Sequence, residues 1–458
     1  MKIQNKVKGL FLHAQIEIDR KGYMKNRYWF FCIGLLFSGA ASDAQTRILS
    51  IDEMFHLADE NSKSIRVHTL HTEETAQGIK VARDKRLPSI HSELTLNYIG
   101  DGCMTDRDFS NGIHADMPHF GNTFVLKASQ VVYSGGSISG NIEKSKLMHR
   151  NAQLEYDSNR QDIRFLLIGY YLDICQLNNE KTVYEKNIEQ TQLLVKDMRA
   201  AYSQGTALKS DITRYELQLQ NLKLALTSVL NKKNILCQHL ASTIGLPEGT
   251  IIQPDTAQLK NIQIARQSET AWKEGKLNAP ALQMADNQIQ LKQNEERLIK
   301  AERRPHINLT ATNDFTGPIL VEVPPLNNNF NYWFAGVSVS YNLDALFKTK
   351  KKLKQARIST LKTQEQRRLA EEKLDNAIHA AYIGLNEAYT RLQTQQKSVQ
   401  LAHENFNIVK HRYLNGLSLI TDMLDASNTQ LDTELQLTND QINILYQYYL
   451  LKKLNGTL

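Results

Sequence analysis

An apolar stripe with a spacing of 3.5 residues occurs twice in this sequence, and the two copies lie 211 positions apart. Ten of twelve sampled positions are apolar or aromatic in the first copy: Ile163, Leu167, Tyr170, Ile174, Leu177, Lys181, Tyr184, Ile188, Thr191, Val195, Met198 and Tyr202. Eleven of twelve are so in the second: Leu374, Ile378, Ala381, Leu385, Ala388, Leu392, Gln395, Val399, Ala402, Phe406, Val409 and Tyr413. Such a repeat is typical of helices that pack along a coiled-coil seam. No proline interrupts residues 119–246 or 326–458, so two long helices are predicted.

Each stripe ends in the same way. Tyr202 and Tyr413 close the two stripes, and a glycine follows three residues later, Gly205 or Gly416. A second apolar helical pattern begins a few residues after each glycine. Glycine is common where a helix ends and the chain reverses, because it adopts left-handed backbone angles without a steric penalty. The sequence therefore predicts two helical hairpins with turns at Gly205 and Gly416.

A different period precedes each hairpin. Apolar and polar residues alternate over residues 90–98 and 124–133 in the first half of the chain, and over residues 307–315 and 333–341 in the second. Alternation of this kind indicates strands with one polar face. Five aromatic residues in or beside these strands form an interfacial aromatic belt or reflect ordinary strand composition: Tyr98, Tyr133, Tyr332, Trp333 and Tyr341.

The order of these elements is the same in both halves. We predict a first structural repeat over residues 45–250 and a second over residues 255–458, each with a helix, two strands and a helical hairpin. Gly245 to Pro254 is the clearest linker, and the loops between the strands, residues 100–122 and 316–330, are polar. We predict that both repeats form one protomer.

The N-terminal segment has the features of an export signal. Trp29 to Phe37 is the longest uncharged apolar run, too short to span a membrane, and Ser42-Asp43-Ala44 places small residues before a cleavage point. Residues 1–44 are therefore predicted to be a signal peptide, and Met24 is an alternative start. They hold seven of the 55 Lys and Arg residues and three of the 48 Asp and Glu residues, so the mature chain carries a formal charge of +3. This charge does not indicate a nucleic-acid partner.

Three cysteines remain in the predicted mature chain: Cys103, Cys175 and Cys237. A hairpin that turns near Gly205 brings Cys175 level with Cys237. Two interpretations stay open, a disulfide formed in an oxidising compartment or a pair of buried thiols.

The strands and helices together indicate a conduit. Four amphipathic strands cannot close a barrel alone, since single-chain bacterial barrels begin at eight strands. Helices of about 65 residues extend roughly 100 Å, several times the thickness of a bilayer core. We therefore expect an exported oligomer with a small strand-built membrane part and a long helical extension in water.

The tip of the second hairpin resembles a known family. The pattern Tyr413-x-x-Gly416 followed by Asp422-Met-Leu-Asp425-Ala426, within the duplicated order of elements, is similar to the outer membrane efflux proteins typified by TolC. The resemblance covers residues 46–455. It implies an α+β membrane protein that forms a homotrimer, with four strands per chain in one twelve-stranded β-barrel in the outer membrane lipid. It also implies a periplasmic coiled-coil barrel that docks onto an inner-membrane transporter through a periplasmic adaptor protein.

The resemblance also assigns a constriction at this tip. Asp422 and Asp425 match the aspartates that ring the narrow entrance, Tyr413 matches a tyrosine that holds it shut, and Asp211 matches the acceptor of that tyrosine. Without the resemblance, the two aspartates of the second hairpin are a helix-start cluster favoured by the helix dipole. The family's arginine is replaced by Ser418 here, so we expect weaker hydrogen bonds in place of a charged link.

Three functions from different classes follow. The leading one is a passive exit channel for drugs or other exported substrates in a tripartite efflux or type I secretion system. The alternatives are a periplasmic adaptor, which normally carries one hairpin, and a coiled-coil scaffold, which needs neither amphipathic strands nor a signal. The sequence contains no phosphate-binding glycine loop, nucleophile elbow or metal-ligand spacing, so we predict no enzyme activity, cofactor or metal site.

Overall fold

The computed structural model describes residues 46–255, 267–322 and 325–458. The predicted signal peptide, with Met24, lies outside the described residues. The helices are α1 (Ile51–Asn61), α2 (Lys63–Asp84), α3 (Ser137–Ser203), α4 (Lys209–Thr243), α5 (Glu269–Gly275), α6 (Pro280–Ala301), α7 (Asp344–Leu414) and α8 (Ile420–Leu454). The strands are β1 (Thr46–Leu49), β2 (Ser89–Tyr98), β3 (Gly102–Met104), β4 (Ile113–Ala115), β5 (Phe120–Tyr133), β6 (Ile251–Pro254), β7 (His306–Gly317) and β8 (Phe330–Ser340).

Two very long helices form the axis of the molecule. Helix α3 has 67 residues and α7 has 71, so each extends about 100 Å at 1.5 Å per residue. Every position of the two predicted seams is buried or half-buried except Tyr202, which confirms the coiled-coil periodicity. Helices α2 and α4 pack on α3, helices α6 and α8 pack on α7, and α6 and α8 also contact α3. Within the described ranges, no helix has the length and apolar character that a bilayer span requires.

The four predicted strands form one antiparallel sheet in the order β2-β5-β7-β8. The two halves of the chain meet at its centre, where β5 pairs with β7 from Asn122↔Gly317 to Tyr133↔Ile307. Strands β2 and β8 are the two edges, and every residue of both strands is exposed. In the part of the chain that the structure describes, each edge strand has a partner on one side only. The sheet is therefore open at both edges.

Two strand pairings lie in segments that were predicted to be a loop and a linker. The predicted loop over residues 100–122 contains a hairpin of β3 and β4, and β5 begins at Phe120 rather than near residue 124. The predicted linker contains β6, which pairs in parallel with β1. Strands of three or four residues are too short to show a period of two, and the β1–β6 pair joins segments about 200 residues apart.

The largest apolar core lies midway along α3. It combines residues of β1 and α1 with residues of α3, α4, β6 and α8. Cys175 and Cys237 are both buried in this core as free thiols, so the structure has the buried thiols and not the disulfide. Burial raises the pKa of the Cys175 thiol to about 12, and the Cys237 thiol donates to the Ile252 carbonyl at 3.7 Å.

A buried hydroxyl in this core gives a stability prediction. Tyr171 is fully buried, donates to the Leu49 carbonyl at 2.9 Å and accepts from the Asp255 amide at 2.9 Å. We expect Tyr171→Phe to lower the unfolding free energy by about 1–2 kcal/mol, because both hydrogen bonds of a buried hydroxyl are lost. Thermal denaturation followed by circular dichroism measures the effect. Tyr170→Phe is the matched control, since Tyr170 is only half-buried; an equal loss in both variants would contradict the prediction.

Candidate functional site

The two hairpin turns have the same geometry. Helix α3 ends at Ser203 and α7 ends at Leu414. The glycine amide of each turn donates to a tyrosine carbonyl at 2.9 Å: Gly205 to Tyr202, and Gly416 to Tyr413. Both glycines have left-handed angles, with φ of 76° and 72°, and open space surrounds the position that a side chain would occupy. Glycine is therefore favoured here by backbone conformation, and not by a lack of room.

One side-chain hydrogen bond joins the two hairpins at this end. The Tyr413 hydroxyl, at the end of α7, donates to the Asp211 Oδ2 atom, in the first turn of α4, at 3.1 Å. Asp211 is only 9% exposed and Tyr413 is half-buried. Burial and the Asp211 charge raise the pKa of Tyr413 to about 12. The tyrosine is therefore a protonated donor throughout the neutral pH range.

An apolar cluster, here named the tip cluster, lies beneath this bond. It draws on four helices: Leu194, Val195 and Met198 of α3, Ile212 and Tyr215 of α4, Phe406 of α7, and Met423 and Ala426 of α8. Tyr413 packs against it. The tip cluster packs the two hairpins against each other, and the Tyr413–Asp211 hydrogen bond lies next to this packed region.

Tyr215 is a residue of the tip cluster that sequence reasoning did not single out. It is fully buried, and among the described residues its hydroxyl has no hydrogen-bond partner. Burial raises the pKa of this phenol, and the nearby Tyr413 adds to the effect. The sequence does indicate that Tyr215 lies near the proposed constriction, because it is four residues after Asp211 and residues four apart lie on one face of a helix. A buried polar group without a partner weakens the packed tip.

Asp422 and Asp425 lie in the first turns of α8, are both exposed, and are three residues apart on one face. The Asp422 Oδ2 atom accepts from the Ser418 hydroxyl at 2.9 Å and from the Leu419 amide at 3.1 Å. Asp422 therefore caps the start of α8, as expected for an acidic residue at a helix N-terminus. The helix-start interpretation and an exposed acidic site are compatible for this residue.

Ser418 binds within its own hairpin. Its hydroxyl reaches Asp422, on the following helix, so it makes no charged link to the first hairpin. Further polar contacts between the hairpins lie away from the turns. Gln218 donates to the Asn428 Oδ1 atom at 2.8 Å, joining α4 to α8, and Lys186 and Asn187 of α3 both donate to Glu434. Sequence reasoning missed these pairs because nothing local links positions more than 200 residues apart.

The five aromatic residues of the predicted belt lie at two levels of the sheet. Strand β2 runs away from the helices and β8 runs back toward them, so Tyr98, Tyr332 and Trp333 lie nearer the loop end. Tyr133 ends β5 and Tyr341 follows β8, both at the helix end. All five are exposed, with Tyr98 at 78% and Trp333 at 76%. Exposed aromatic side chains at both ends of the strands are typical of a membrane-embedded sheet.

Comparisons with known proteins agree with this architecture. Residues 273–457 match the family model described as outer membrane efflux protein. The outer membrane protein VceC of Vibrio cholerae is 14% identical; the match covers 89% of this chain and 96% of that one, with a TM-score of 0.71. The CmeC outer membrane channel of Campylobacter jejuni is 13% identical, with 89% and 85% covered and a TM-score of 0.71. The MtrE outer membrane channel of Neisseria gonorrhoeae, in its open state, is 15% identical, with 89% and 88% covered and a TM-score of 0.68. No curated protein sequence matches this chain.

The structural matches have low sequence identity and therefore establish the fold. They extend over nearly all of the described chain. The predicted fold class, a short strand region continuous with long coiled-coil helices, is confirmed.

Proposed function

Because residues 273–457 match the family model described as outer membrane efflux protein, we propose that the chain belongs to this family and is the outer membrane exit channel of a tripartite efflux or type I secretion system. The observation that carries this proposal is the open four-stranded sheet joined directly to helices about 100 Å long. Its strands have 10, 14, 12 and 11 residues, close to the length that a tilted transmembrane strand needs. In this proposal the sheet lies in the bilayer and the helices extend into the aqueous periplasm.

The open edges of the sheet support a homotrimer. Strands β2 and β8 leave unpaired backbone groups at both sides of the sheet, and such groups are costly in lipid. Pairing β8 of one chain with β2 of the next satisfies them without new elements. Three chains of four strands give a closed barrel of twelve, within the range of known outer membrane barrels.

The helices support a periplasmic conduit that works with partners. Their tips lie far from the sheet, where an inner-membrane transporter and a periplasmic adaptor protein would meet them. Transport through this chain is passive in the proposal, and the transporter supplies the energy. An adaptor or a scaffold is less suitable, since neither has a use for a four-stranded amphipathic sheet at one end.

The tip of the hairpins is the proposed constriction. In a closed trimer, Asp422 and Asp425 form two stacked rings of three carboxylates. The Tyr413–Asp211 bond holds the second hairpin against the first in each chain. Breaking this bond would let the second hairpin move outward, which widens the entrance.

Cell fractionation and electrophoresis test the proposal. We expect the full chain in the outer-membrane pellet as a trimer that dissociates only on heating, and we expect purified trimers to form conducting channels in planar bilayers. We expect a trimer because the four strands of one chain cannot close a barrel, whereas the twelve strands of three chains can. Recovery as a soluble monomer, or trimers without conductance, would contradict the proposal.

A further inference from the structure

The hairpin of β3 and β4 extends from the loop end of the sheet, opposite the helices. Its register pairs Gly102 with Ala115 and Cys103 with His114. Asp101 precedes the first strand and Asp116 follows the second, so the pairing brings these two carboxylates to the same end of the hairpin. His114 lies within the second strand, two residues before Asp116.

The ligand atoms of three residues converge there. One atom from each of Asp101, His114 and Asp116 lies within 4.8 Å of the other two. The His114 Nε2 atom is 3.3 Å from the Asp116 Oδ1 atom and 3.9 Å from the Asp101 Oδ2 atom. Two ligands of a tetrahedral Zn²⁺ ion lie about 3.4 Å apart, given metal–ligand distances of about 2.1 Å. The two His114 distances are within about 0.5 Å of that requirement.

His119 lies beside this group, on the Asp101 side, and its ring is held by neighbouring contacts. Its Nε2 atom is 3.9 Å from the Asp101 Oδ1 atom, and its Nδ1 atom is 3.0 Å from the Ile99 carbonyl. A carbonyl can only accept, so Nδ1 carries a proton and donates to it, and the Nε2 atom is left facing Asp101. The ring stacks on Tyr98 at 5.3 Å between centroids. Contacts of this kind fix the tautomer and the ring plane of metal-binding histidines.

The backbone holds the other ligands in place. The Asp101 Oδ1 atom accepts from the Met117 amide at 3.2 Å. The Ile99 amide donates to the His119 carbonyl at 2.9 Å, which closes the base of the loop. At the far end of the hairpin, Asn111 donates to the Asp106 carboxylate at 2.7 Å. The four side chains therefore project from a segment with fixed ends.

We propose that Asp101, His114, Asp116 and His119 bind a borderline divalent transition-metal ion, with Zn²⁺ as the reference ion. Two imidazoles and two carboxylates suit Zn²⁺, Cu²⁺, Ni²⁺ or Co²⁺ better than Ca²⁺ or Mg²⁺, which prefer oxygen ligands alone. The two positive charges of the ion offset the two neighbouring carboxylates. Bound metal would fasten the hairpin to the loop end of the sheet.

This site differs from the sequence-based expectation of no metal site. The ligand positions 101, 114, 116 and 119 do not form a recognisable spacing, and only the β3–β4 pairing brings them together. The location of the hairpin outside the cell rests on the proposed function, whereas the ligand geometry does not. A binding experiment in detergent therefore tests the metal site alone.

Calorimetry on the untagged, chelator-treated full-length protein measures the binding of Zn²⁺. We expect one ion per chain, and we expect His114→Ala and Asp101→Asn each to weaken binding by about tenfold or more. Titration with Co²⁺ should give visible absorption bands of a four-coordinate N/O site in the wild type and not in these variants. His56→Ala is the matched control, since His56 is an exposed histidine on α1 whose Nδ1 atom is 3.5 Å from a Glu60 carboxylate oxygen.

Two results would overturn the proposal. The first is Zn²⁺ binding that is equal in the wild type and in the His114→Ala variant. The second is loss of binding in Cys103→Ser, because the exposed Cys103 thiol would then hold the ion in place of the assigned ligands. Heat-dissociable trimers and circular dichroism verify folding of each variant; Asp116→Asn provides the same test if His114→Ala does not fold.

Discussion

Channels in which Asp422 and Asp425 are replaced by asparagine are expected to lose most of their preference for cations. In the proposed trimer these residues place six carboxylates at the narrowest point. A carboxylate about 5 Å from a passing cation attracts it by about 1 kcal/mol in a water-like dielectric. The attractions of the six carboxylates add together, and salt screens part of that total. We therefore expect the ratio of cation to anion permeability to fall by at least about tenfold. Reversal potentials under a salt gradient in planar bilayers measure the ratio.

The choice of asparagine separates charge from helix capping. Asp422 accepts hydrogen bonds from Ser418 and Leu419, and alanine would remove this cap at a cost of about 1 kcal/mol. Asparagine keeps an acceptor oxygen and removes only the charge. Replacement of both residues by glutamate keeps the charge and serves as the control. Unchanged selectivity in the asparagine channel would contradict the assignment of Asp422 and Asp425 to the constriction.

The second large effect is expected from Tyr413→Phe. The change removes the 3.1 Å bond to Asp211 and leaves the ring packed against the tip cluster. Hydrogen bonds to charged groups contribute about 1.5 kcal/mol or more, so the equilibrium between closed and open tips should shift by about tenfold for each chain. Single-channel recordings should show a larger open fraction, and cells should admit bulky antibiotics more readily.

Tyr202→Phe is the matched control for this variant. Tyr202 occupies the equivalent position of the first hairpin, is 48% exposed, and makes no side-chain hydrogen bond within the described part of the chain. An equal rise in open fraction in both variants would argue against the Tyr413–Asp211 bond as the closing contact.

The Tyr413–Asp211 bond should also depend on pH. Because the pKa of Tyr413 is raised to about 12, its contribution is fully present below about pH 10 and is lost as the pH rises through 12.

Elements with a sustained local period were predictable from the sequence. The two seams place an apolar side chain on one face of a helix about once per turn, so the burial of Leu167 or Ile378 follows from spacing alone. The turns at Gly205 and Gly416 were predictable because a left-handed residue after a long helix favours glycine. The four sheet strands were long enough, at ten or more residues, to show alternation.

The sequence predicted only some residues of the candidate site. The roles of Tyr413, Asp211, Asp422 and Asp425 came from the resemblance to a family, whereas periodicity indicated only that Tyr413 lies on a seam. The resemblance could not say what Ser418 does, because its partner depends on the local backbone at the start of α8. It also said nothing of Tyr215, whose unpaired hydroxyl is defined by the packing of four helices around it.

The sequence by itself determined the elements of this protein: two long helices in one register, two glycine turns and four half-polar strands. Each of these follows from interactions between residues a few positions apart, which a local pattern records. The tertiary structure decided which elements meet. The pairing of β5 with β7, the β1–β6 ribbon and the ligand cluster on the β3–β4 hairpin join residues according to backbone pairing and packing in space. A local sequence pattern does not predict those partners, because the free energy of each pairing depends on both segments together.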